Sequence, residues 1–289
     1  MLGGGARIGI YVGSDRAEPG LWDTLAAVHG QDAYYDTVGL VAGADSLGSG
    51  ERAGLLAALG RDDDLAGLSI LHVQCHIGFD TVSLARRGAQ VTGTDFSAAS
   101  LAKAADIAAR SGVSIDWVEA ESTALPRSLH GRFDLVYATV GVLCWIGDVP
   151  AWMSSVAATL APGGHLLLYE MHPLYSALAG PDTLELEFPY GGAAPQHFEE
   201  SISYAVPDAI LEPAVTVQYA HSIGEVVTAA IDAGLEIRRL EEHLDADRDP
   251  RGMNPELEPD GRYRLRSGGH PVPIMFTLIA HKPDRKPVN

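Results

Sequence analysis

Between Ser69 and Ser97 the chain reads SILHVQCHIGFDTVSLARRGAQVTGTDFS, and few folds accommodate that order. An apolar run (Ile70, Leu71, Val73) gives way to a polar loop, Gln74-Cys75-His76-Ile77-Gly78. An amphipathic segment from Phe79 to Arg87 follows, and Gly88 closes it. A second apolar run, Val91 to Thr94, ends at Asp95. Strand, tight loop, helix, strand and acid make half of a nucleotide-type βαβ unit. An acid at the tip of the second strand suits a ribose diol, because a carboxylate accepts two hydroxyl hydrogen bonds at once.

The same alternation continues downstream. Ser97 is a suitable N-cap for a helix over 98–111, which Gly112 ends. Strands are expected at Ile115–Val118, Phe133–Ala138 and His165–Glu170. Asp148 caps the intervening helix, and Pro150 in its first turn costs no internal bond. Ser222-x-x-Glu225 is a capping box for a further helix closed by Gly234. Leu235–Leu240 and Pro273–Ala280 complete seven strands, with a charged, Pro- and Gly-rich loop between them from about Asp245 to His270. The fold class is therefore α/β, with helices on both faces of a mainly parallel sheet. Residues 1–64 read as an N-terminal helical cap. Residues 65–172 and 221–283 read as the core. The excursion 173–220 reads as an inserted antiparallel lid, with strands at Thr183–Phe188, Phe198–Tyr204 and Ala214–Tyr219.

Charge and cysteine content narrow the function classes. A formal net charge of −18 would repel phosphate backbones, so nucleic acid is not expected as a partner. The two cysteines, Cys75 and Cys144, both follow strands of one sheet and form no CxxC pair, which suits a reducing, cytoplasmic setting. No apolar run is long enough to span a membrane, and the first residues lack a signal peptide's long apolar stretch. A homodimer is admitted as the assembly.

A dinucleotide site needs G-x-G-x-x-G so that backbone amides approach a pyrophosphate. Here Gln74 and His76 stand beside a single Gly78, and their side chains would crowd a diphosphate. S-adenosylmethionine carries no phosphate and needs no such nest, so the loop favours it over NAD. LHVQCHIGFDTVSLAR from Leu71 to Arg86 resembles the LQCHxGxDTLSLAR motif of a small-molecule branch of the class I S-adenosylmethionine-dependent methyltransferases. YATVGVLCW (Tyr137–Trp145), PGGHLLLYEMHP (Pro162–Pro173) and the stretch Tyr219–Gly234 resemble the same branch. The resemblance implies a Rossmann-like sheet whose last strand is antiparallel, with S-adenosyl-L-methionine as cofactor and a small-molecule acceptor methylated on O, N or C.

By the same resemblance, Gly78 with the loop Gln74 to Ile77, His76 included, passes under the methionine part of the cofactor. Asp95 holds the ribose hydroxyls, Phe96 lies beside the adenine, and Glu121, followed by Ser122 at the same site, faces its amino group. Thr139 faces the methionine tail or the transferring methyl, and Tyr35 closes over the cofactor from the cap. The wider superfamily has an acid where His72 stands, which leaves Gln74 or a backbone carbonyl to hold the cofactor's ammonium.

Other residues carry sharper and blander readings. His72 and His76 are four apart, but on a strand and its loop they do not share a face, so no metal site is expected. Cys75 and Cys144 read as packing rather than nucleophiles. His172, after the fifth strand, is the candidate base, with a capping histidine as the bland reading. His221 is the weaker candidate, set against a helix-entry contact. His197, Tyr204 and Tyr219 on the lid are either substrate contacts or packing. Two alternatives remain: the same fold catalysing a non-methylating cyclisation or rearrangement, and a non-catalytic small-molecule binder.

Overall fold

The computed structural model describes residues 19–30, 34–180, 184–203, 205–206, 210–249 and 256–284. Three helices come first: α1 (Pro19–Val28), α2 (Thr37–Val41) and α3 (Ser49–Leu59). The alternating core follows with β1 (Ser69–Val73), α4 (Phe79–Arg86), β2 (Gln90–Asp95), α5 (Ala98–Arg110) and β3 (Asp116–Glu119). Next are β4 (Phe133–Thr139), α6 (Val149–Thr159) and β5 (Leu160–Met171). A short α7 (Pro173–Ala177) and the hairpin β6 (Pro195–Ile202) and β7 (Ile210–Tyr219) lead to α8 (Ile223–Asp232). The chain closes with β8 (Glu236–His243), β9 (Glu256–Leu257), β10 (Tyr263–Ser267), β11 (His270–Val272) and β12 (Met275–His281).

Seven strands form one sheet in the order β3-β2-β1-β4-β5-β12-β8, and β12 runs antiparallel to both neighbours. This is the expected sheet. Its strand order reverses between β1 and β4, which pair in parallel with Leu71 opposite Val136. Crossovers leave that point in opposite directions, so their loops splay apart and open a crevice at the strands' carboxyl ends.

Both faces of the sheet's central strands are buried. On one, Leu71, Val73, Val136, Leu166 and Leu168 pack against α6 and α8 through Trp152, Met153, Val156, Val226 and Ala230. On the other, Ile70, Leu135, Tyr137, Leu167 and Ile279 pack against Leu55 of α3 and Leu84 of α4. Burial on both faces explains the near-continuous apolar runs that the sequence shows for these strands. Helix starts follow the expected chemistry. The Ser97 hydroxyl accepts from Ser100 N at 3.0 Å, Asp148 accepts from Ala151 N at 2.9 Å, and Ser222 with Glu225 forms the full capping box.

Three expectations change. β5 begins at Leu160 rather than His165, because the Pro162-Gly163-Gly164 segment bends within the strand and does not merely stop α6. Among the described residues the strands of the inserted segment are those of the β6–β7 hairpin; around residues 184–188 there is a single bridge, Leu178 to Leu186. The Asp245–His270 loop is partly ordered as a three-stranded sheet, β11-β10-β9. Arg262 and Arg264 brace it against Asp245, and Arg264 and Arg266 pair with Glu258.

Candidate functional site

The loop that joins β1 to α4 has an unusual backbone. Gln74 and His76 both hold positive φ, +53° and +47°, in the left-handed region normally left to glycine. Side chains in that conformation cost roughly 1–2 kcal/mol each, and both are held by bonds around the loop. Trp152 Nε1 donates to Gln74 Oε1 at 2.9 Å, and Gln74 Nε2 donates to the Val142 carbonyl at 3.2 Å. The His76 ring shares hydrogen bonds with His29 Nδ1 of the cap (2.8 Å) and Ser100 Oγ of α5 (3.2 Å). Burial pushes the His76 imidazole down to about 3, so it stays neutral. Gly78 also has positive φ, +76°, and a Cβ there would meet Ala104 and Trp117 at 2.8 Å, so it alone must be glycine.

This loop fixes Asp95. His76 N donates to Asp95 Oδ2 at 2.8 Å and Ser97 N to Oδ1 at 3.0 Å. Each carboxylate oxygen keeps a further lone pair for a ligand hydroxyl. Burial outweighs these bonds and lifts the Asp95 carboxyl to about 6.

A cavity of about 440 Å³ opens over the β1 and β4 ends, within the usual size of small-molecule sites. Of the residues expected at a cofactor site, Tyr35, Gln74, His76, Gly78, Asp95, Phe96 and Thr139 line it. Glu121 and Ser122 do not: Glu121 is exposed and Ser122 is buried as the first residue of a 3-10 turn. Two histidines are also elsewhere. Leu174 N donates to His172 Nδ1 at 3.1 Å as an N-cap of α7, and His172 Nε2 bonds Glu242 Oε1 at 2.8 Å. Both nitrogens are thus engaged away from the cavity. His221 Nε2 bonds the Ile146 carbonyl at 2.5 Å, and its ring stacks on Tyr219, again outside the lining. Neither histidine lines the cavity. His197 and Tyr219 on the hairpin do not line the cavity either, and Tyr204 lies outside the described residues.

Sequence reasoning missed the residues that complete the lining. Asp80, in the first turn of α4, accepts from Ser46 Oγ (2.6 Å), Thr139 Oγ1 (3.2 Å) and Tyr137 OH (3.3 Å) while facing the cavity. It stands between the β1 loop and the β4 tip, where His72 cannot supply a charge. His72 is buried, bonded to Thr81 Oγ1 at 2.8 Å and pushed down to about 4 by burial. Asp80 lay in the quoted motif, and its place in the first turn of a helix over the crevice was the available signal. Glu51 of α3, Tyr34, Tyr169 and the segment 246–248 after β8 close the other side. Nothing in the local pattern of 246–248 marks it as pocket wall, because the contact spans some 200 residues of sequence, as in Arg248 donating to the Ser46 carbonyl.

The loop after β4 is held from below. Glu170, buried in β5, accepts from the backbone N–H groups of Gly141 (2.6 Å), Val142 (2.7 Å), Leu143 (3.1 Å) and Met171 (2.8 Å). Burial pushes its carboxyl up, and the four donors oppose that shift. Among the described residues no group of three or more His, Cys, Asp or Glu is arranged to hold a metal, and no helix is long and apolar enough to cross a membrane.

Comparison with known proteins places these observations. Residues 71–166 match a family described as a methyltransferase domain. A ubiquinone biosynthesis O-methyltransferase of Ralstonia nicotianae is 32% identical over 108 residues, which cover 37% of this chain and 45% of that protein. The match thus spans less than half the length of that relative. Among solved structures, an S-adenosylmethionine-dependent methyltransferase of Mesorhizobium loti superposes with TM-score 0.52 at 22% identity, over 83% of this chain and 99% of that one. A TehB-like S-adenosylmethionine-dependent methyltransferase of Corynebacterium glutamicum gives TM-score 0.51 at 15% identity, over 92% and 100%. At such identities these two likenesses speak for the fold alone.

Proposed function

We propose, from the membership of residues 71–166 in the methyltransferase-domain family, that this chain binds S-adenosyl-L-methionine and transfers its methyl group to a small molecule. One observation carries the reading: two carboxylates, Asp95 at the tip of β2 and Asp80 in the first turn of α4, line one cavity together with the left-handed β1 loop. Two such groups suit a ligand that carries both a ribose diol and an ammonium. Asp95, fixed by two backbone donors, accepts the ribose hydroxyls, and Phe96 lies beside the adenine. Asp80 takes the ammonium, the role the sequence left to Gln74 or a backbone carbonyl; the Gln74 amide is spent on Trp152 and Val142. Thr139 and Gly141 border the methionine tail, and Tyr35 covers it from the cap. Glu121 and Ser122, which do not line the cavity, have no part in this arrangement.

The cofactor, when bound, supplies a methyl group already activated on a sulfonium. What the protein adds is alignment and water exclusion, which in well-oriented systems amount to as much as about 7–11 kcal/mol. Gln74, His76 and Glu170 set the loops that do this. The O-methyltransferase relative supports oxygen as the acceptor atom. The net charge disfavours nucleic acid as substrate, and two free cysteines suit a reducing cytoplasm. Every group invoked belongs to one chain, with which a homodimer is compatible. Titration calorimetry with S-adenosylmethionine and S-adenosylhomocysteine tests the reading. Binding of both is expected, and binding of neither would refute it. A product heavier by one methyl group separates transfer from a cyclisation.

A further inference from the structure

Glu51 has no part in the cofactor contacts above, yet it is one of the few buried carboxyls of the molecule. It lies in the first turn of α3, only 8% exposed, and lines the same cavity as Asp80 and Asp95. The groups that face it come from every wall: Asp80 of α4, Tyr34 of the cap, Tyr137 of β4, Tyr169 of β5, and Asp247 and Arg248 after β8. Their bonding differs. Asp247 is occupied by Ser49 and Arg262, and Asp80 by three hydroxyls. Among the described residues no side chain forms a hydrogen bond or ion pair with the Glu51 carboxyl, and its own backbone N–H helps to hold it. Arg248 lines the same wall, donates to the Ser46 carbonyl, and among the described residues forms no ion pair within 4.0 Å. A carboxyl and a guanidinium thus line one cavity and feel each other's charge without forming a direct ion pair.

We propose that Glu51 is the base at the acceptor end, and that the acceptor is a hydroxyl of phenol- or enol-type acidity whose developing oxyanion faces Arg248. This rests on the methyltransferase reading. In the step, the acceptor hydroxyl gives its proton to the Glu51 carboxylate while its oxygen forms the new bond to the methyl carbon. The carbon–sulfur bond breaks with its electron pair remaining on sulfur, leaving S-adenosylhomocysteine and a methyl ether. Burial and the neighbouring Asp80 lift the Glu51 carboxyl to about 7, where a general base is most effective at neutral pH.

The test needs no known acceptor. S-adenosylmethionine carries one positive charge more than S-adenosylhomocysteine, at the sulfur. A carboxyl close to the transferring methyl is therefore driven to ionise by the first ligand and not by the second. Calorimetry at pH 7 in buffers of different ionisation enthalpy counts the protons. The wild type is expected to release about half a proton more with S-adenosylmethionine than with S-adenosylhomocysteine, and Glu51→Gln is expected to abolish the difference. Equal counts in the wild type, or a difference that survives in Glu51→Gln, overturn the assignment; the wild-type count decides even if the variant does not fold. Binding of neither ligand would instead remove the cofactor reading beneath it. The acceptor class is read with 4-nitrophenol, whose colour reports its ionisation. On protein saturated with S-adenosylhomocysteine, binding with a shift toward the phenolate is expected, and Arg248→Gln should reverse the shift. No binding, or a shift toward the neutral phenol, overturns the acceptor class alone.

Discussion

Trp152 Nε1 donates to Gln74 Oε1 at 2.9 Å, and that bond joins α6 to a loop residue held at φ +53°. The two facts are coupled. The bond holds a side chain in place at a position whose backbone conformation favours glycine. Gln74→Ala keeps the unfavourable φ and leaves the indole N–H without its partner. A loss of about 1–3 kcal/mol is expected in denaturant unfolding. Gln74→Gly loses the same bond but relieves roughly 1–2 kcal/mol of backbone cost, so it should be the more stable of the two. Alanine outlasting glycine would show that the loop is not strained there.

Asp95 gives the pH dependence. Its carboxyl is lifted to about 6 by burial, above the ordinary value near 4. A raised acid favours the folded protein when protonated, so its contribution to stability is complete below about pH 4 and is lost as pH rises through 6. Cofactor binding runs the other way, because ribose hydroxyls donate to the ionised form. Affinity for S-adenosylhomocysteine should be level above pH 7 and fall below pH 6 by up to about tenfold per pH unit. Calorimetry between pH 5 and 8 reads this, and Asp95→Asn should flatten the profile at lower affinity. A wild-type profile level down to pH 5 would count against Asp95 as the ribose contact.

His172 is expected to matter for stability and not for proton transfer. Its Nδ1 caps α7 and its Nε2 is held by Glu242. His172→Ala should cost about 1 kcal/mol, the usual value of a lost cap, while leaving the pH profile of turnover unchanged. Loss of one limb of that profile would return His172 to the chemistry.

Glu170 offers the largest effect on stability. Its carboxylate satisfies four backbone donors, three of them in the loop from Gly141 to Leu143. Glu170→Ala leaves those donors unmatched, at about 1–3 kcal/mol for each that stays buried, and should lower the unfolding free energy by more than 3 kcal/mol. Hydrogen exchange should quicken first at Gly141 and Val142. A loss under 1 kcal/mol would mean that water replaces the carboxylate.

What the sequence made legible was whatever depended on nearby residues. Strand and helix positions followed from apolar runs buried on both faces, and the caps at Ser97, Asp148 and Ser222 from local bonding rules. Asp95 was legible because the strand-tip acid is a local pattern, and its two backbone donors confirm how it is held. Tertiary pairings were not legible. Gln74 reads as a free polar side chain until Trp152, 78 residues away, is seen to occupy it. His172 looks like a base beside the fifth strand until Glu242 and the α7 amide take both nitrogens. Arg248 reads as part of a charged loop, since only the folded chain sets it against Ser46 and Glu51.

A crystal structure of the protein with S-adenosylhomocysteine tests the two carboxylates most directly. The cofactor's amino group is predicted within hydrogen-bond reach, about 2.7–3.2 Å, of the Asp80 carboxylate, with both ribose hydroxyls on Asp95. Asp80→Asn should then weaken binding by about 10–100-fold, the scale of one charge-assisted hydrogen bond. An amino group held by Gln74 or a backbone carbonyl, with Asp80 facing only solvent, would contradict it.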